Sequence, residues 1–139
     1  MKTQQLTKVE IIHLLFTNGY EKDPSTRAIN VTESGIQSGC YYYDKESNTK
    51  CAVGMCMTSV GLKKFGEFGG MVNALDEYMT TRFKTKTLKS YLKKEFVGHS
   101  ISFWMRVQEL HDTQEFWDEK GLTQSGQGCK RMLMLDYSK

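Results

Sequence analysis

Apolar positions recur at helical spacing in several stretches of the chain and gather into short extended runs in others. Thr7-Lys8-Val9-Glu10 has the form of a capping box, and Val9, Ile12, His13 and Phe16 follow at helical spacing, with Asn18-Gly19 as the predicted stop. Asp23-Pro24-Ser25 marks a turn, because Pro24 fixes its own backbone and pushes Asp23 towards extended geometry. Residues 28–31 and 40–43 read as short strands bounded by Gly39 and by the polar stretch 44–49, which predicts a hairpin or a two-to-three-stranded sheet. A turn or two of helix follows from Ala52 through Val53, Met55 and Met57, and Gly61, Gly66, Gly69 and Gly70 then predict a loop. Helical spacing returns over 71–79 through Val72, Leu75 and Met79, and is clearest over 102–118. There Phe103, Val107 and Leu110 form one apolar edge, and Trp104, Val107 and His111 the adjoining one. Gly121 ends that segment, 124–128 reads as a loop, and 132–135 is a short apolar run that suits a strand or a helix end. No repeat is present. The pattern predicts a single α+β domain over 1–139, helix-rich with a small antiparallel sheet or hairpin.

Composition narrows this picture. The chain has 139 residues, of which 39% are hydrophobic and 12% aromatic, enough for one real core and against global disorder. A net charge of +3 permits an anionic small ligand but is too mild for a nucleic-acid footprint. Lys2, Lys8, Glu10 and His13 interrupt any secretory core near the start, and no run approaches the ~20 apolar residues of a membrane span. The expected compartment is a reducing cytoplasm, where free thiols are the default. Cys40, Cys51, Cys56 and Cys129 lack the paired spacing of a zinc finger, so no metal is assigned, although a site joining Cys to His111 stays open. No cofactor motif appears: neither a Walker loop, nor a dinucleotide fingerprint, nor HExxH.

Two candidates carry chemistry. Cys51, at the start of the Cys51-Ala52-Val53-Gly54 run, would meet unpaired amides at a helix start, and Lys50 beside it favours thiolate in the same sense. It is equally a small core hydrophobe. His111 is the candidate base, or a core histidine; Asp112 follows it, but neighbours on a helix diverge by about 100°, so Asp112 is expected to pair with Arg27 or a lysine instead. Arg27, after the Asp23-Pro24-Ser25-Thr26 turn, is the best candidate for holding a phosphate or carboxylate, with Asp23 and Ser25 beside it. Tyr42 and Trp104 are candidates for stacking on a base, and Lys50 and Asp112 for polar contacts. The stretch 82–94 holds Arg82, Lys84, Lys86, Lys89, Lys93 and Lys94 and no acid, which makes either a solvated face or a phosphate-attracting rim.

These landmarks occur in a recognisable order. Asp23-Pro24-Ser25-Thr26-Arg27, Cys40-Tyr41-Tyr42, Lys50-Cys51-Ala52-Val53-Gly54, Phe103-Trp104 with Gln108-Glu109-Leu110-His111-Asp112, and Trp117-Asp118-Glu119-Lys120-Gly121-Leu122-Thr123 together resemble a family of small phage-encoded proteins of uncharacterised activity. Met55, after the CAVG run, departs from the basic or polar residue often found there. The resemblance implies one chain-long domain acting in the host cytoplasm, and small accessory phage proteins often counter host defence. By that analogy the chain is expected to bind an anionic nucleotide-type immune signal, with its cleavage as a further expectation. A Cys51–His111 hydrolase or transferase, and an inhibitor working by protein contact, are the alternatives; homo-oligomerisation is compatible with each.

Overall fold

The computed structural model describes residues 5–28, 30–31, 37–39, 41–82 and 86–138. Thr7 opens the first helix as foreseen: its side chain accepts from Glu10 N, and Glu10 returns the bond to Thr7 N. Helix α1 (Lys8–Ile12) buries Ile11 and Ile12 and then widens without a break into π-helical turns, His13–Tyr20. Asn18-Gly19 therefore does not stop it. Burial decides the matter, because continuing past Gly19 carries Tyr20 into the core beside Leu15 and Phe16 and lets it donate its hydroxyl to Lys50 O at 2.6 Å.

Three antiparallel two-stranded pairs are present among the described residues. β1 (Asn30–Val31) pairs with β2 (Gln37–Gly39), and β3 (Tyr43–Asp44) with β4 (Thr49–Lys50). The second pair lies one step later than the strand expected at 40–43; Cys40 falls outside the described residues. Asn48 takes a positive φ of 55° in its tight turn, which asparagine tolerates better than most residues.

Helix α2 (Ala52–Met55) is a single turn, and α3 (Ser59–Phe65) follows at once. The glycine-based loop prediction fails over α3. Thr58 caps that helix by accepting from Gly61 N, and Gly61 is there for close packing: a Cβ would stand 2.8 Å from Tyr91 Cβ. Gly66 to Gly70 do form a connection, leading to α4 (Val72–Arg82). Two short 3-10 turns, Leu88–Tyr91 and Lys94–Phe96, bury Leu88, Tyr91, Leu92 and Phe96. Lys86, Lys89, Lys93 and Lys94 are left outside, as a solvated basic face requires.

Ser100 caps α5 (Ile101–Asp112), the central helix, which packs against α2, α4 and α6. It ends six residues before the predicted 118. Thr113 leaves the helix, Gln114–Phe116 makes a 3-10 turn, and β5 (Trp117–Asp118) pairs with β6 (Gly121–Leu122). Beyond it, α6 (Gln124–Tyr137) occupies both the predicted loop at 124–128 and the apolar run at 132–135. Thr123 caps α6 through Gly126 N, and Gly126 is required because a Cβ would lie 2.4 Å from Phe116 O. One core cluster runs from Ile11 to Leu133 and joins the helices and 3-10 turns described above with Tyr42 and Trp117. No helix among the described residues is long and apolar enough to cross a membrane.

Candidate functional site

The C-terminal turn of α5 has a closed side and an open side. On the closed side lies Arg27, which the Asp23 turn delivers. Asp23 accepts from both the amide and the hydroxyl of Ser25, and Thr26 Oγ1 donates to Asp23 O, so Asp23 and Ser25 build the turn. Arg27 is buried, its Nε and Nη2 donate to His111 O at 3.1 and 2.6 Å, and its guanidinium lies 4.5 Å over the Trp117 ring. Trp117 Nε1 in turn donates to Leu110 O at 2.8 Å. Two carbonyls left open by the helix end are thus satisfied by side chains, and a cation sits where the dipole favours one. The residue expected to bind an anion is a helix cap.

His111 is fully buried beside Tyr20, with ring centroids 5.0 Å apart in an edge-on arrangement. Its Nδ1 is 2.6 Å from Asp112 Oδ1, contrary to the expectation that the two side chains diverge. Gln108 supplies the reason. One turn back on the same helix, its Nε2 donates to the same Asp112 oxygen at 2.8 Å and draws the carboxylate towards the His111 face. The other end of Gln108 accepts from Val53 N at 3.1 Å, which ties α5 to α2. An ionised carboxylate only accepts, so Nδ1 carries the proton and Nε2 is the basic nitrogen. That Nε2 is buried with no hydrogen-bond partner. Burial pulls the imidazole pKa below its ordinary value, against the opposing pull of Asp112, so His111 is neutral near pH 7.

On the open side, a cavity of about 520 Å3 runs along α5. Tyr42, Cys51 and the 69–72 segment form one wall, and Met105, Arg106, Gln108, Glu109 and Asp112 of α5, with Thr113 just past its end, another. Cys51 borders the cavity but is only 1% exposed. It caps α2 as expected for a residue at a helix start, with Sγ accepting from Gly54 N at 3.3 Å. The wall is drawn tight at Gly54, where a Cβ would stand 1.9 Å from Tyr42 O. Tyr42 donates its hydroxyl to Gly70 O at 3.0 Å and so fastens the glycine segment to the cavity.

The sequence-derived candidates therefore divide. Tyr42, Cys51 and Asp112 border the cavity; Arg27 and His111 stand behind it in the core. Trp104 is a core residue, packed against Phe103 and His99, with its indole nitrogen buried and without a partner. Lys50 serves through its backbone, its carbonyl taking Tyr20 and its ammonium lying 5.7 Å over Tyr43. His111 Nε2 has no partner, so it makes no hydrogen bond with the Cys51 thiol, and the contact that a Cys–His pair needs is not formed. Among the described residues no cluster of His, Cys, Asp or Glu is arranged to hold a metal ion. The residues that sequence reasoning missed are Gln108, Glu109, Met71 and Met105. The spacing of Gln108, Glu109 and Asp112 on one helix was the available signal. No protein-family model, curated protein or solved structure matches the chain.

Proposed function

We propose that the protein binds a small nucleotide-type ligand in the cavity along α5, as a phage accessory protein that counters host defence by capturing an immune signal. The cavity carries the binding half of this reading. At about 520 Å3, with largely apolar walls and polar groups spaced along the α5 side, it has the size and make-up of a small-molecule site. The order of landmarks along the chain supports the phage setting. A thermal-shift screen against nucleobases, nucleosides, cyclic dinucleotides and ADP-ribose derivatives tests it. A true ligand at a hundredfold excess over Kd adds about 2.7 kcal/mol, which moves Tm by several degrees. If no member of the panel stabilises the protein, the reading fails.

Thiol chemistry at Cys51 is a second reading, favoured by the residue bordering the cavity with its sulfur on the cap of α2. For turnover, His111 Nε2 has to come within hydrogen-bond reach of Sγ. This reading expects Cys51 to be alkylated by iodoacetamide faster than an ordinary thiol at neutral pH. A rate no faster than that of the Cys51→Ala variant ends it.

A further inference from the structure

We infer that the basic face built by α3 and residues 86–97 docks on an anionic lipid surface. The inference is independent of the cavity along α5. Two stretches distant in sequence are joined here along one seam. Thr58 N donates to Tyr91 O at 2.7 Å, Lys93 N donates to Cys56 O at 2.8 Å, and Met57 forms a bridge with Leu92. Gly61 lets α3 lie against the Leu88–Tyr91 turn, and Lys64 Nζ stands 6.0 Å over the Tyr91 ring. Lys63 and Lys64 thereby join Lys86, Lys89, Lys93 and Lys94, all of them exposed.

Residues 55–67 and 86–97 carry these lysines against two carboxylates, Glu67 and Glu95, a larger positive balance than the +3 of the whole chain. Asp76 of α4, packed behind the same turn, spends an oxygen on Leu88 N. The charge is therefore gathered on one face, which makes the complementary partner an extended anionic surface. Lysines are point charges without the planar fork that grips a single phosphate, so they suit a smooth field of headgroups. Two apolar side chains stand among them, Met55 at 39% and Val60 at 57% exposure. Lipid gives both a place to enter, and a polar face with apolar side chains lies on a bilayer without spanning it. A nucleic-acid strand would leave Val60 in water. The ring at the seam, Tyr91, is 6% exposed beneath Lys64 and offers no face for a base to stack on.

Flotation of the full chain with vesicles of phosphatidylcholine alone, or mixed with phosphatidylglycerol at roughly 2:1, tests this. The protein is expected to float only with the anionic vesicles, and to be released in about 1 M salt, where the screening length falls to about 3 Å. Each lysine near such a surface is worth about fivefold in affinity, so Lys89→Gln with Lys94→Gln should weaken binding about 25-fold. Tm should hold, because both side chains are exposed. Removing the same charge elsewhere, through Lys22→Gln with Lys120→Gln, should change binding by less than about twofold. Val60→Ser should weaken it by about threefold. No flotation, equal flotation with both kinds of vesicle, or equal losses from the two lysine pairs overturns the inference. Binding to duplex DNA as tight as to the anionic vesicles at matched phosphate, and indifferent to Val60→Ser, overturns it in favour of nucleic acid.

Discussion

The two sides of the α5 C-terminal turn use similar residues to opposite ends. On the inner side, Arg27, Trp117 and Tyr20 enclose the helix end, and their polar atoms are spent on backbone carbonyls. On the outer side, Asp112 takes two donors on one carboxylate oxygen and borders the cavity together with Glu109 and Cys51. A charged residue closed on the backbone stabilises; a charged residue that borders a cavity is placed to meet a ligand. Residue type alone did not distinguish them, since Arg27 had the stronger claim as a ligand contact.

If this division is right, variants on the inner side should cost stability and those on the outer side should cost affinity. The largest effect is expected from Arg27→Ala. It strips the cap from His111 O and the cation from Trp117, and should cost about 3 kcal/mol, with Arg27→Lys recovering only part. Urea unfolding measures this, and a loss within experimental error would break the assignment of Arg27 as a cap. Gly54→Ala comes next, at about 2 kcal/mol or more, because its methyl group would strike Tyr42 O and push apart the wall that carries Cys51.

A pH series sharpens the comparison through His111. Its folded-state pKa lies below the unfolded value, so below pH of about 6.5 the unfolded chain takes up a proton that the folded one refuses. Stability from this residue is therefore complete above that pH and is lost as pH falls, by at most about 1.4 kcal/mol per pH unit. Unfolding free energies of the wild type and of His111→Leu, compared between pH 7 and 5, should show the steeper acid loss in the wild type. Equal slopes would contradict a buried neutral imidazole. The smallest effect belongs to the outer side: Glu109→Gln should change stability by no more than about 0.5 kcal/mol.

Much of the fold was legible where the signal is local. The Thr7–Glu10 box, the Pro24 turn and the α2 start at Cys51 are all set within three or four residues. Misreadings arose where distant chain decides. The end of α5 depends on Arg27, which caps His111 O from 84 residues earlier, and no periodicity over 102–118 can show that. Gly61 and Gly126 suggested loops because glycine favours them, whereas each is a helical residue pressed against a neighbour. At the site, Cys51 and Asp112 were found through their chemistry, but the bond between His111 and Asp112 depends on Gln108 pulling the carboxylate across. Met71 and Met105 gave no chemical signal in sequence and gain a role only from the cavity they border.

The central claim is that the cavity along α5 is where this protein meets its ligand. Titrating the nucleoside or nucleotide that most raises Tm in the thermal-shift screen into isotope-labelled protein, and following backbone amide resonances, tests this most directly. The account predicts shifts concentrated at Tyr42, Gly69, Gly70, Glu109, Asp112 and Thr113, with α1 and the far end of α6 unmoved. Shifts gathered instead around Val9, Met134 and Leu135, in the groove between α1 and α6, would contradict it.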